Sequence, residues 1–216
     1  MENKEIKAVI FDMDGVILDT ETMCDKTWAI AAKEMGITEV DKALNICRGS
    51  NRPDTIAKLK ELYGKDFDSE AFINRSVDLF HEIEVSEGIA KMPFAQETLE
   101  YLKPKYKVAL ASSTRGPTVK RQLTNAGLIK YFETRTTGEM VHHSKPDPEI
   151  YIMACESLGL NPAQCVAVED SPNGIKSATA AGMNAIMVPD KIAPTPEMEK
   201  LCWKICKNLK ELENIL

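Results

Sequence analysis

KAVIFDMDGVILDT, residues 7–20, joins a short apolar run to two acidic residues and a glycine. The run from Ala8 to Phe11 contains no polar residue, which is typical of a strand buried on both faces of a parallel sheet. Asp12 and Asp14 follow at the carboxyl end of this strand, where open α/β sheets bind their ligands. Because alternate side chains of an extended chain point the same way, we expect these two carboxylates to converge. Such a pair suits a hard cation such as Mg²⁺ and can supply a nucleophile and a proton-transfer group.

The composition is that of a soluble globular protein. The chain has 216 residues, of which 28% are charged and 44% hydrophobic. Its 27 basic and 33 acidic residues give a net charge of −6, which does not favour nucleic acid as a partner. No apolar run approaches the roughly 20 residues that span a bilayer, and the first residues, MENKEIK, lack the apolar region of a signal peptide. We therefore expect a cytoplasmic protein without a membrane partner, whose six scattered cysteines are free thiols.

A helical insertion is expected directly after the first strand. Three segments with helical spacing of apolar residues lie between Thr20 and Ile83, and glycines follow the first two. Asp68 is the expected N-cap of the third. No strand pattern interrupts them. We therefore predict a helical cap domain at residues 18–89, inserted into a core domain formed by residues 1–17 and 90–216.

Strands and helices alternate from Tyr106 onward. Largely apolar runs predict strands at residues 107–111, 165–168 and 185–188, and the short segment 134–138 is a further candidate strand, with helices between them. Apolar residues between Leu201 and Ile215 predict a final strand and helix that close the core. This alternation predicts an α/β fold with a Rossmann-like, doubly wound parallel sheet.

Polar residues recur where the predicted strands end. Ser112 follows one strand, Glu169 and Asp170 follow another, and Lys145 precedes the helix between them. The carboxyl ends of parallel strands lie along one edge of a sheet, so these residues can meet Asp12 and Asp14 there. A carboxylate, Mg²⁺, a lysine and a hydroxyl together make a site for phosphoryl transfer.

Four motifs in order resemble those of the haloacid dehalogenase superfamily of phosphohydrolases, in the subgroup with an inserted helical cap. They are FDMDGVILDTE at 11–21, ALASST at 109–114, KPDPEIY at 145–151 and VEDSPNGIKSATAAGM at 168–183. Within this subgroup the chain is similar to sugar-phosphate and nucleotide-type phosphatases, including pseudouridine 5′-phosphatases, and to β-phosphoglucomutases. The resemblance covers essentially the whole chain and implies an enzyme that acts on a small phosphorylated metabolite, expected as a monomer.

The resemblance implies a role for each matching residue. Asp12 is the implied nucleophile that becomes an aspartyl phosphate, and Asp14 is the acid/base that protonates the leaving group and then activates water. The hydroxyl of Ser112 and the amine of Lys145 hold the phosphate, and Lys145 also steadies the nucleophile. The implied Mg²⁺ ligands are Asp12, the backbone carbonyl of Asp14, Glu169 and Asp170, with Glu169 binding directly or through water. Further residues expected to bind the substrate and shape its selection are Glu21, Arg52, Ser113, Thr114, Arg115 and Asn173.

Each of these residues also has a structural interpretation. Lys145 can be a solvated lysine in a proline-rich turn, and Ser112 can cap the next helix. Glu169 and Asp170 can be an acidic pair favoured by the dipole at the start of a helix. Their joint occurrence after the right strands favours the catalytic interpretation.

Two functional alternatives stay open. In β-phosphoglucomutases a histidine follows the DxDG motif by several residues, whereas this sequence has Cys24 there. That difference favours hydrolysis over phosphosugar mutase activity. The non-enzyme alternative is a phospho-acceptor or an inactive phosphate-binding domain. An acceptor domain is shorter and carries its aspartate on a middle strand, and an inactive domain would have lost Asp12 or Asp14.

Overall fold

The computed structural model of the protein describes residues 5–50 and 52–216, which divide into two compact units. The core unit contains Ala90–Leu216 together with the described residues up to Asp19, and the helical unit is Thr20–Ile89. The first boundary lies two residues after the one predicted from the sequence. The reason is Leu18, which is completely buried and forms isolated β-bridges with Asp14 and Lys91 in the core unit.

The described part of the helical unit contains four helices. They are α1 (Thr20–Glu34), α2 (Val40–Cys47), α3 (Arg52–Tyr63) and α4 (Ser69–Glu87). Asp68 caps α4 as predicted, because its carboxylate accepts a hydrogen bond from the backbone N–H of Ala71. The sequence analysis missed α2, which has only eight residues and follows Glu39, whose side chain makes no capping hydrogen bond.

The core unit is built on a parallel sheet. Its six described strands are β1 (Ala8–Phe11), β2 (Lys107–Ser112), β3 (Thr134–Thr137), β4 (Cys165–Glu169), β5 (Asn184–Met187) and β6 (Lys204–Ile205). They lie in the order β3-β2-β1-β4-β5-β6, and all neighbours run parallel. Every residue of β1 is completely buried, as expected for a central strand covered on both faces. The predicted α/β fold with a doubly wound sheet is confirmed.

Helices connect successive strands of this sheet. They are α5 (Ala95–Leu102), α6 (Gly116–Asn125), α7 (Glu149–Ser157), α8 (Pro172–Ala180) and α9 (Pro196–Leu201). The C-terminal prediction was partly wrong, because the segment after β6 is a 3₁₀ helix, Leu209–Asn214, and α9 was not foreseen. Leu209 and Leu212 of the 3₁₀ helix are nevertheless buried, so this segment does close the core.

The cysteines are free, as predicted. Cys24 and Cys202 are partly exposed, and the other four are buried. Among the described residues, every helix is too short or too polar to cross a bilayer.

Candidate active site

The predicted catalytic residues of the core unit lie at one edge of the sheet. β2 and β4 flank β1, and their registers pair Phe11 with Leu110 on one side and with Val168 on the other. Asp12 continues this alignment, since its N–H donates to the carbonyl of Val168 at 2.9 Å. Ser112 and Glu169, the last residues of β2 and β4, therefore end beside Asp12.

Lys145 joins the strand ends. Its Nζ donates to Asp12 Oδ1 at 2.6 Å, to Glu169 Oε1 at 2.6 Å and to the carbonyl of Ala111 at 3.0 Å. The side chain is only 8% exposed, so Lys145 is not a solvated turn residue. Burial alone lowers the pKa of Lys145, but the charges of Asp12 and Glu169 outweigh burial and raise this pKa above its ordinary value. The ammonium group therefore stays charged.

The loop before α7 directs Lys145 into the site. The carboxylate of Glu149 accepts hydrogen bonds from the backbone N–H groups of His142 and His143. The carbonyl of Asp147 accepts one from the hydroxyl of Ser177 on α8, at 2.6 Å. Because the loop is held on both sides of Lys145, the direction of the lysine is determined by the fold.

Asp12 occupies an unfavourable place for a charge. Burial raises the pKa of Asp12 to about 8. The charge of Lys145 opposes this shift, while those of Glu169 and Asp14 add to it. A cation bound beside Asp12 would therefore lower this pKa and favour the ionised carboxylate.

Asp14 is held by two hydroxyl groups. Its Oδ2 accepts hydrogen bonds from Thr114 Oγ1 at 2.8 Å and from Ser112 Oγ at 3.3 Å. Ser112 does not cap α6, because the N-cap residue of that helix is Arg115. The first N–H of α6, that of Gly116, is bound by the carboxylate of Glu139. The hydroxyl of Ser112 therefore belongs to the site.

A group of carboxylates in the site matches the needs of Mg²⁺. Oxygen atoms of Asp12, Glu169 and Asp170 lie within 4.8 Å of one another. Magnesium prefers such an all-oxygen donor set. The absence of a side chain at Gly15 is needed here, because a Cβ at this position would lie only 2.5 Å from Asp170 Oδ2 and would clash with that carboxylate. The residues present fit a magnesium ion; the side chain of Asp14 lies outside this group of three.

The carboxylate of Glu169 is bound by protein groups on both oxygens. Oε1 accepts hydrogen bonds from Lys145 Nζ and from the hydroxyl of Tyr151, the latter at 2.7 Å. Oε2 accepts one from Ser171 Oγ at 3.2 Å. Ser171, not the acidic pair, caps α8, since its hydroxyl accepts from the N–H of Gly174.

Tyr151 was missed by the sequence analysis as a site residue. Its spacing with other apolar residues of α7 indicated only a packing role, although it stands six residues after Lys145 in the KPDPEIY motif. Burial, together with the charges of Glu169 and Asp12, raises the pKa of Tyr151 well above its ordinary value. Its hydroxyl therefore stays protonated and donates to Glu169.

The other predicted substrate residues of the core unit are placed differently from one another. Thr114 contacts Asp14 directly, as described above. Ser113 and Arg115 are exposed in the segment that follows β2, and Asn173 is exposed in the first turn of α8. Among the hydrogen bonds of the described residues, Thr114 is the one member of these four that binds a predicted catalytic side chain through its own side chain.

The helical unit contains a cavity of about 170 Å³. Its lining residues are Glu21, Cys24, Asp25, Trp28, Leu44, Cys47, Arg48, Gly49, Ser50 and Thr55. Glu21 was predicted to bind substrate, whereas Arg48 and Asp25 were not foreseen. Arg52, which was predicted, is exposed on α3 and donates to Asn74 Oδ1 at 2.7 Å.

The charges of this cavity are paired within the helical unit. Arg48 binds both carboxylate oxygens of Asp25, at 2.8 and 2.9 Å, and Glu21 Oε2 at 3.1 Å. Burial lowers the pKa of Arg48, but its contacts with Asp25 and Glu21 outweigh burial and raise it. A second cation reaches the same lining, since Lys58 Nζ donates to Ser50 Oγ at 2.6 Å.

Comparison with known proteins gives consistent matches. Residues 9–188 match the family described as haloacid dehalogenase-like hydrolase. The "Phosphorylated carbohydrates phosphatase" of Thermotoga maritima is 33% identical over 84% of this chain and 84% of that protein. "Hexitol phosphatase A" of Escherichia coli is 32% identical over 90% of this chain and 88% of that protein. These matches confirm the resemblance inferred from the motifs and the expectation of an enzyme with phosphatase relatives.

Among solved structures, the "putative beta-phosphoglucomutase" from Thermotoga maritima superposes with a TM-score of 0.81 and 30% sequence identity. The match covers 97% of this chain and 98% of that one. A protein named as a "putative" mutase is therefore among those to which this chain is similar, beside proteins named as phosphatases.

Proposed function

Because the chain belongs to the haloacid dehalogenase-like hydrolase family, we propose that it is a Mg²⁺-dependent phosphatase that hydrolyses the phosphomonoester of a sugar or polyol. The observation that carries this proposal is the position of Lys145 Nζ, 2.6 Å from both Asp12 Oδ1 and Glu169 Oε1. This arrangement places a cation on a buried carboxylate, as expected for a nucleophile that must attack an anionic phosphate.

The proposed reaction has two steps. First, an oxygen of Asp12 attacks phosphorus while Asp14 donates a proton to the departing alcohol oxygen, so the ester P–O bond breaks as an aspartyl phosphate forms. Second, Asp14 takes a proton from water, whose oxygen attacks the same phosphorus. Inorganic phosphate leaves and the carboxylate of Asp12 is regenerated.

The other residues bind and neutralise charge. Ser112 offers a hydroxyl for a phosphoryl oxygen, and Lys145 steadies Asp12 while its charge offsets that of the phosphate. Asp12, Asp170 and the backbone carbonyl of Asp14 would hold Mg²⁺, with Glu169 close enough to ligate it directly or through water. When bound, the ion supplies positive charge that neutralises the phosphoryl oxygens.

The helical unit would select the substrate. The cavity offers the carboxylates of Glu21 and Asp25 as acceptors beside the guanidinium donors of Arg48, and such mixed acceptors and donors suit the hydroxyl groups of a polyhydroxy ligand. Trp28 adds an aromatic surface to the same cavity. The relatives named as carbohydrate and hexitol phosphatases agree with this choice of substrate class.

The test is release of inorganic phosphate, with and without Mg²⁺, from hexitol phosphates, fructose 1-phosphate, nucleotide monophosphates and β-glucose 1-phosphate. Asp12→Asn is the blank, because an amide is a poor nucleophile. Release that disappears with EDTA and in the blank supports the proposal. Inactivity of the folded protein towards all of these esters contradicts it.

The second candidate, a phosphosugar mutase, is supported by the similarity to the Thermotoga maritima structure. The presence of Cys24 where mutases have a histidine speaks against it. The same assay separates the two when a trace of glucose 1,6-bisphosphate is added to β-glucose 1-phosphate. Glucose 6-phosphate formed without net phosphate release identifies a mutase.

A further inference from the structure

Tyr151 belongs to the hydrophobic core and to the candidate site at once. Its side chain is completely buried, and its ring packs in the core cluster that includes Ile10 of β1, Ala109 of β2 and Ala154 of α7. The hydroxyl at the end of the same ring donates to Glu169 Oε1 at 2.7 Å. A tyrosine has only two side-chain torsions. Its packed ring therefore presents the hydroxyl as a fixed point.

The positions of the Glu169 carboxylate and of Lys145 Nζ depend on a group that is itself held in place. The lysine reaches the site on a flexible four-carbon stem, so its acceptors determine where Nζ lies. Its three N–H donors are directed to Asp12, Glu169 and the carbonyl of Ala111. Glu169 Oε1 accepts hydrogen bonds both from Lys145 Nζ and from the hydroxyl of Tyr151. Lys145 Nζ also lies 5.1 Å from the centre of the tyrosine ring.

We propose that Tyr151 is a positioning residue of the reaction: its hydroxyl fixes the carboxylate of Glu169, which places Lys145 Nζ on the nucleophile Asp12. The contacts form one chain from the core to the nucleophile, in which every hydrogen bond is 2.6 or 2.7 Å long. Tyr151 itself touches no reacting atom. It acts on the reaction through Glu169 and Lys145, and the kinetic part of the proposal rests on the proposed phosphatase function.

The direct test is Tyr151→Phe, which keeps the ring and its packing and removes the hydroxyl. Loss of a group that orients a site residue typically lowers activity about 10- to 100-fold. We expect kcat to fall by about tenfold, with KM changed less than about threefold, because the groups that bind the alcohol part of the substrate are untouched. A crystal structure of the variant should show Glu169 rotated and Nζ displaced from Asp12.

A double-mutant cycle with Glu169→Gln distinguishes positioning from other effects. If Tyr151 acts through Glu169, Tyr151→Phe should lower kcat in the wild type and cause little further loss in the Glu169→Gln background. Additive losses in the double variant would overturn the proposal. The four kcat values are measured on folded protein, so a lower stability of one variant does not affect the comparison.

Tyr131→Phe is the matched control. Tyr131 is also buried, and its hydroxyl donates to a carboxylate oxygen, Glu100 Oε1, over the same 2.7 Å, but neither residue belongs to the site. This variant removes the same kind of hydroxyl–carboxylate hydrogen bond outside the site and should keep the wild-type kcat; its stability loss should be the smaller one, because Glu100 is exposed and water can replace the hydroxyl. An equal loss of kcat in both variants, or an unchanged kcat in Tyr151→Phe, would overturn the proposal.

The structural measurement separates this proposal from the proposed function. If the wild type releases no phosphate from any ester, the function is wrong, yet the crystal structure of Tyr151→Phe still tests the positioning. Lys145 Nζ unmoved from Asp12 and Glu169 in that structure would overturn the positioning role, whatever the activity.

Discussion

Replacing Gly174 by alanine should destabilise the protein, although alanine is the better helix former. Gly174 lies in the first turn of α8, and a Cβ built there would lie 1.9 Å from Glu169 Cδ and 2.0 and 2.1 Å from its oxygens. Carbon atoms in contact are about 3.5–4.0 Å apart, so the carboxylate or the helix must move by about 1.6–2.1 Å to restore an ordinary contact with Glu169 Cδ. The side chain of Glu169 therefore cannot keep its present place.

The size of the effect follows from the contacts of Glu169. A displacement of this size breaks the hydrogen bonds from Lys145 at 2.6 Å and from Tyr151 at 2.7 Å. Each hydrogen bond to a charged group stabilises the fold by about 1.5–3 kcal/mol. The higher helix propensity of alanine relative to glycine stabilises it by only up to about 1 kcal/mol. We expect the free energy of unfolding to fall by at least about 2 kcal/mol, which lowers Tm by about 4–8 °C for a chain of this size.

The assay is guanidinium unfolding followed by circular dichroism, with Asn173→Ala as the control. Asn173 is the neighbouring residue of α8 and is exposed, so alanine there changes helix propensity without approaching Glu169. We expect this control to stay within about 0.5 kcal/mol of the wild type. If Gly174→Ala is as stable as Asn173→Ala, Glu169 is not confined as the structure indicates, and the reasoning is wrong.

Three further predictions concern the site and the cavity. Asp14→Asn should lower kcat by about 10²–10⁴-fold in steady-state phosphate release, because it removes the proton transfer, and a loss of less than tenfold would contradict this role. Asp25→Asn should free part of Arg48 and shift the ratio of kcat/KM values towards a sugar bisphosphate over the monophosphate; an unchanged ratio would speak against selection by the cavity. Since burial raises the pKa of Asp12 to about 8, Mg²⁺ binding near neutral pH should release a proton. The calorimetric affinity should therefore rise with pH, up to about tenfold per unit, and level off above that pKa, whereas a pH-independent affinity would refute the raised pKa.

Much of the core unit was predictable because its signals are local. The apolar run Ala8 to Phe11 indicated a buried strand, and alternation of strands and helices indicated the parallel sheet. In such a sheet the carboxyl ends of strands share an edge, so the rule alone brought Asp12 and Ser112 together across about a hundred residues. Asp68 was equally readable, since a cap acts within one turn of its own helix.

Other features depend on contacts that no local pattern records. Tyr151 has the spacing of a packing residue in α7, and only the tertiary fold brings the end of β4 close enough for its hydroxyl to bind Glu169. Arg48 is likewise an ordinary arginine in the sequence until the fold of the helical unit sets Asp25 and Glu21 around it.

The sequence by itself determined the fold class, the strand ends where the candidate site lies and the identity of the acidic and basic groups there. The tertiary structure alone decided which atoms meet: Lys145 Nζ on Asp12, Thr114 on Asp14 and Tyr151 on Glu169. The physical reason is that periodicity specifies which face of an element is buried, whereas the partner of a buried polar atom depends on the packing of elements distant in the chain.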